Sequence, residues 1–204
     1  MAYYKTNRNF EEGQLPLVSK SLDSFRTYQW EVDFVGLESL LQDAAVSVNG
    51  NTVDKLTLAA KKISGLEVSV ENITADRVND RLNYPGKVSY GEAIITFDNL
   101  YQEDICGLLY TWFRSIYNPI TGSTTAAAAP GGLKDTFKLP VVKIRLLGNQ
   151  MNSQKVINLF GVYPTKYSVS ELNYSTSDFH TIEMSLKYDF MEVVGDVYPN
   201  TEGF

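Results

Sequence analysis

Histidine and cysteine, the residues on which many catalytic and metal sites converge, are almost missing: His180 and Cys106 are the only ones in 204 residues. A single cysteine excludes an internal disulfide, and neither residue has metal-ligand or nucleophile spacing around it. Cys106 reads as a small unpaired hydrophobe on a helix, and His180 as a residue at the core edge of an alternating strand. The acidic pairs Glu11-Glu12 and Glu103-Asp104 are adjacent in sequence, which suits solvation or helix-dipole compensation rather than an acid/base couple. "NPITG" and "PGG" lack the strand-loop-helix setting of a phosphate cradle. The expectation is a protein that is not an enzyme and needs no cofactor or metal.

Basic charge is also short. Lys and Arg number 18 against 24 Asp and Glu, for a net charge of -6. A protein that grips nucleic acid needs a basic patch to displace counterions, so stable nucleic-acid binding is not expected. No apolar run reaches the roughly 18 residues of a membrane span, and the opening MAYYKTNRNFEEG has no apolar signal region, so the expected compartment is the cytoplasm of the producing cell.

What is present is a hydrophobic share of 44%, enough for one substantial domain, and 13 tyrosines. Tyrosine combines contact area with a polar tip, which suits subunit interfaces. The most aromatic stretch is YTWFRSIYNP, residues 110–119. Counting from Ile105, apolar side chains recur at Leu108, Leu109, Trp112, Phe113, Ile116 and Tyr117, the spacing of one helix face. Asp98 or Asn99 can cap its start and Pro119 stops it, so the pattern predicts a helix from about 100 to 117 that lies on a core.

The rest reads as strands. In 26–35, Tyr28, Trp30, Val32 and Phe34 alternate with Thr27, Gln29, Glu31 and Asp33, a half-buried strand. "LESLLQDAA" suggests a short helical turn, and Asn49-Gly50 a hairpin. "DKLTLAAKKISGLEVSVENI" predicts two strands broken at Ser64-Gly65, the second with Leu66, Val68 and Val70 inward and Glu67, Ser69 and Glu71 outward. "TADRVNDRLNYPGK", 74–87, reads as a long charged loop with Pro85-Gly86 as its corner. Further strands are expected at 88–98, 138–147, 155–163, 165–174 and 179–190. The last would place Ile182, Met184, Leu186, Tyr188 and Phe190 inward and Thr181, Glu183, Ser185, Lys187 and Asp189 outward. "TGSTTAAAAPGG" reads as a surface loop. The expected organisation is an extended arm over 1–25, one β-domain over 26–190 and a tail over 191–204. The expected fold is mainly β: an antiparallel two-sheet sandwich or flattened barrel with one principal helix.

The order of motifs adds a resemblance. "ISGLEVSVENI", a loop ending in "NYPGK", the strand "AIITFD", the helix leading to "WFRSIYNPITG" and the closing "INLFGVYPTKYSVSELNYSTSDFHTIEMSLKYDF" resemble the tail tube proteins of contractile-tailed bacteriophages and the inner tubes of related injection particles. The likeness runs from about Phe25 to Phe190; the segment from Gly36 to Asp54 and the Ala-rich loop depart from it as insertions. It implies a virion structural subunit, assembled in the host cytoplasm, that forms stacked and probably hexameric rings. Its implied partners are further copies of itself, the tail sheath, the baseplate, the tape-measure protein and duplex DNA in transient, non-specific passage. It also implies that the 74–87 loop meets the adjacent ring through Asp76, Arg77, Asn79, Asp80, Arg81, Asn83, Tyr84 and Pro85, and that the N-terminal arm lies on a neighbour. If one sheet lines a channel, Glu67, Ser69 and Glu71 are candidates to face it, with Glu183 and Ser185 behind them; alternation alone leaves open which face is which. Two other readings stay in play: an injection device carrying protein, and a monomeric β-sandwich that binds through exposed tyrosines.

Overall fold

The computed structural model describes residues 25–43, 51–101, 103–124, 137–148, 153–175 and 177–195. In chain order the elements are β1 (Trp30–Val35), α1 (Leu37–Asp43), α2 (Asn51–Ala59), β2 (Ala60–Ser64), β3 (Val68–Asp76), β4 (Arg81–Tyr90), β5 (Glu92–Asp98), α3 (Ile105–Ile116), β6 (Tyr117–Asn118), β7 (Ser123–Thr124), β8 (Leu139–Leu147), β9 (Ser153–Val169), β10 (Thr181–Lys187) and β11 (Phe190–Gly195). The expected class holds: a mainly β, antiparallel two-layer fold with α3 as its principal helix.

One long ribbon organises both layers. β9 runs for 17 residues and takes part in each. Its first half pairs with β8 on one edge and β11 on the other, and its second half pairs with β10. Adding β1 beyond β8 gives one layer; adding β5 and then β2 beyond β10 gives the other. The ribbon turns between layers at Gly161, whose φ of 64° is a left-handed angle that side-chain-bearing residues avoid. The sequence expected two strands here, split at Pro164. Pro164 is instead buried within one strand, beside the bulge between Ser185 and Leu186 where the ladder is already irregular.

Alternation places the core correctly on most strands. Val32 and Phe34, Ala93, Ile95 and Phe97, Val142 and Ile144, and Ile182, Met184 and Leu186 are all buried. On the opposite face of the first layer, Arg145 holds Glu31 at 2.6 Å and Asp33 at 2.9 Å. α3 covers the open side of the sandwich with Ile105, Leu108, Leu109 and Trp112. Trp112 meets Phe34 edge-on at 6.0 Å, and Cys106 Sγ lies 2.9 Å from Tyr167 Oη on β9.

Several expectations change. α3 starts at Ile105 rather than about 100, because Asp98 is consumed by β5 and the Asn99 amide bonds the His180 carbonyl; the cap is Asp104, whose carboxylate accepts from Gly107 N at 2.8 Å. Tyr117 leaves the helix for β6 and is exposed, while Phe113 and Ile116 are half-buried. Residues 51–59 form α2 rather than a hairpin arm and a strand; Leu56 and Ala59 fall on its buried face. Tyr28 precedes β1 and is exposed. The 74–87 segment is not a loop but most of a β3–β4 hairpin, and Val68 and Val70 on it face solvent instead of the sandwich. Ser185, expected outward, is buried in the middle strand of its layer, between Ile94 and Lys166 of the flanking strands. Phe190 belongs to β11, is exposed and stacks on Phe160 at 4.4 Å. Residues 191–195, read as the start of a tail, complete that strand. The N-terminal arm up to 24, Asn49-Gly50 and most of the Ala-rich loop lie outside the described residues.

Burial and the neighbouring Cys106 thiol push the Tyr167 phenol far above its ordinary range, and burial raises Tyr188 as well. A group whose folded pKa is raised lends stability below its unfolded pKa and loses it as pH climbs. Stability is therefore expected to fall above about pH 10, where the unfolded phenols ionise first. Tyr167→Phe should flatten that fall in urea titrations between neutral and alkaline pH.

Candidate assembly interface

The second layer, β2-β5-β10-β9, is a four-stranded sheet with one wet face. Its core side carries the buried residues named above, and its other side carries Lys62 and Ser64 on β2, Ile94 and Thr96 on β5, Glu183 and Ser185 on β10, and Lys166 and Ser168 on β9. Charge of both signs is interleaved here. Among the described residues its two outer edges have no strand beside them: β2 pairs only with β5, and Tyr163–Val169 of β9 only with β10. Unpaired edges of this length invite another strand.

From one end of this sheet the β3–β4 hairpin projects. Every residue of β3 is exposed, and nine residues reach about 30 Å at roughly 3.3 Å each. A two-stranded hairpin with no core of its own is marginal in water. Its root is anchored: Tyr188 Oη donates to the Glu67 carbonyl at 3.1 Å, and Gly91 N to the same carbonyl at 2.9 Å. A bulge opposite Glu71 divides it. Nearer the root, Val70 pairs with Val88 on one face while Ser69 and Ser89 bond at 2.7 Å on the other. Beyond the bulge the apolar pairs Ile73–Tyr84 and Ala75–Leu82 occupy the second face, and Asn72–Asn83 at 3.2 Å and Asp76–Arg81 at 2.6 Å the first. The apolar surface thus changes sides along the hairpin. At its tip the Arg77 amide bonds the Asp80 carbonyl at 2.8 Å, and Val78 is fully exposed.

The opposite end of the same sheet is built by residues 170–180, which join β9 to β10. They line a cleft of about 640 Å³ that includes Glu171, Leu172, Tyr174, Asp178, Phe179 and His180. The His180 Nδ1 is buried without a hydrogen-bond partner.

The sequence candidates are therefore divided. Glu183 and Ser185 belong to the wet face of the sheet, whereas Glu67, Ser69 and Glu71 lie on or beside the hairpin root, a separate unit. Asp76, Arg77, Asn79, Asp80, Arg81, Asn83, Tyr84 and Pro85 are brought together on the outer half of the hairpin, all exposed. The cleft escaped sequence reading; its signal was the cluster of apolar residues in an otherwise polar connection, Leu172, Tyr174 and Phe179. Among the described residues, no three His, Cys, Asp or Glu side chains are grouped to hold a metal, and no helix is long and apolar enough to cross a membrane.

Known structures share this fold. The chain is similar to a protein of an extracellular contractile injection system, PVC, in its sheath-tube complex (15% identity, 87% of this chain and 98% of that chain, TM-score 0.60). It is also similar to one of the sheath/tube terminator of the same system (15%, 85% and 98%, TM-score 0.59) and to the tube-terminating cap of the anti-feeding prophage (12%, 85% and 92%, TM-score 0.58). Among curated proteins no sequence matches. The family model for the T4-like virus tail tube protein gp19 matches residues 45–192, which span β2 to β11 and hold both the open-edged sheet and the hairpin, so the chain belongs to that tail tube family.

Proposed function

We propose that this tail tube protein closes its β2-β5-β10-β9 sheets edge to edge around a ring, with six subunits per ring, and stacks the rings into a hollow tube through which duplex DNA passes during ejection. The observation that carries this reading is the pair of unpaired edges on one polar-faced sheet. Pairing β2 of one subunit with the second half of β9 on the next would use up both edges, and a closed barrel leaves none exposed. Its inward face would then carry Glu183, Ser185 and their neighbours, with Glu67, Ser69 and Glu71 near the mouth. Lys62 and Lys166 offset Glu183 on that face, so the channel would be close to balanced rather than strongly acidic. A wall without a basic patch offers duplex DNA no binding site, which favours sliding.

The relatives in sheath-tube and baseplate assemblies support a sheath outside the tube and a baseplate at its end as partners here. A tape-measure protein is the expected occupant of the lumen before DNA. We place the protein in the virion as a structural subunit without catalytic activity, and the N-terminal arm on a neighbouring subunit. Electron microscopy of the purified chain should show six-fold rings and tubes of stacked rings. A strictly monomeric protein at all concentrations, or rings of another order, would reject the corresponding part of this reading.

The hairpin supplies a second check. Its amides at 68–90 should exchange hydrogen faster in the isolated subunit than in the tube, because nothing in the subunit covers either face. Equal protection in both states would exclude the hairpin from the contacts between subunits.

A further inference from the structure

The hairpin tip and the 170–180 cleft lie at opposite ends of one sheet. Lys187 of β10 pairs with Glu92 at the hairpin end, and Thr181 pairs with Asp98 at the cleft end. The seven residues of β10 put roughly 20 Å between them, and the hairpin points away from the cleft of its own subunit. We infer that this cleft is the socket for the hairpin tip of a second copy of the chain in the next ring. The inference rests on the tube reading above and adds to it the site that receives the hairpin.

The two surfaces are complementary in kind. At the tip, Val78 is fully exposed beside Arg77, whose guanidinium has no ion-pair partner among the described residues, whereas Arg81 is already held by Asp76. In the cleft, the exposed side chains of Leu172, Tyr174 and Phe179 stand beside Glu171 and Asp178, two carboxylates that no lysine or arginine neutralises among the described residues. A free cation and an exposed valine meet two free anions and an apolar surface. Seating Val78 against Phe179 removes both from water, and closing Arg77 on Asp178 in the resulting shelter strengthens a pair that solvent would otherwise screen. The unpartnered His180 Nδ1 supplies an acceptor for a donor at the tip, such as the Asn79 carboxamide.

The contact is heterologous: the surface that gives differs from the surface that receives. Each copy that accepts a tip presents its own at the far end, so the contact repeats along an axis without closing and gives the tube a direction. This separates stacking from ring closure, which depends on strand edges elsewhere.

Cross-linking tests it directly. In a Cys106→Ser background, which keeps a hydroxyl for Tyr167, Val78→Cys and Phe179→Cys are made on separate chains. Under oxidising conditions the mixture should give disulfide dimers while neither variant alone does, and a chain with both changes should give a ladder. Tubes visible by microscopy without that cross-link, or Val78→Cys dimerising with itself, would overturn the socket while leaving the tube reading intact. Absence of rings and tubes in the unmodified protein would remove both. As an independent arm, Arg77→Glu and Asp178→Arg should each leave rings but no stacks, and their combination in one chain should restore stacking. Unchanged tube growth by Arg77→Glu alone would also overturn the assignment.

Discussion

Trp112→Ala is expected to destabilise the subunit by about 3–5 kcal/mol, the range for truncating a large buried aromatic. Trp112 is wholly buried under α3 and meets Phe34, which in turn lies 6.1 Å from Phe97. These three rings connect the helix with one strand of each layer. The indole N–H has no hydrogen-bond partner, so packing area and ring contacts alone hold the residue. Truncation leaves a cavity between layers that the strands cannot close without breaking their ladders. Urea denaturation of the isolated subunit should show a lower midpoint with little change in slope. If the variant were as stable as the parent and failed only in assembly, Trp112 would be a contact residue and its core role would be wrong.

Gly65→Ala is expected to have the next largest effect, about 2–5 kcal/mol, and to reach assembly as well as folding. Gly65 has a φ of 77°, and a Cβ placed there would lie 2.1 Å from the Glu92 carbonyl oxygen. The left-handed angle costs roughly 1–2 kcal/mol for any other residue, and the clash with rigid backbone adds roughly 1–3 kcal/mol. Relief requires movement where the hairpin leaves the sheet, beside the Glu67 carbonyl that Tyr188 and Gly91 hold. The hairpin would then emerge at another angle, and its tip some 30 Å away would be displaced far more than the root. Gly122→Ala is the control: its φ is 66° but a Cβ there has no neighbour within 4 Å, so only the angular strain remains. The glycine-to-alanine difference between the two sites, measured by denaturation and by tube formation in micrographs, isolates the clash. Equal and small effects at both would show that the root adjusts freely and that the exit angle is not fixed there.

Residues 105, 108, 109 and 112 declared a helix with a buried face because a period of 3.6 reports burial on a curved surface, and strict alternation in β1 and β10 reported it on a pleated one. These signals determined the fold class and most of the core, and the motif order determined the family. Where a segment has no core side, the same logic fails. The hairpin carries apolar residues on one face before its bulge and on the other after it, so no single alternation survives, and a strand pair packed on nothing reads as a polar loop. α2 was mistaken for strand because Thr57, Leu58 and Val53 favour extended backbone, and only burial of Leu56 and Ala59 beside β1 and β5 overrides that preference. Local composition therefore settled that this chain is a β-sandwich with a tube protein's order of parts. Only the tertiary structure decided which sheet edges stay open, that Glu67 and Glu183 belong to different units, and that a free arginine and a pair of free carboxylates stand at opposite ends. Those relations depend on strand pairing between residues far apart in sequence, and a periodic pattern read along the chain records which side is buried, not what lies beside it.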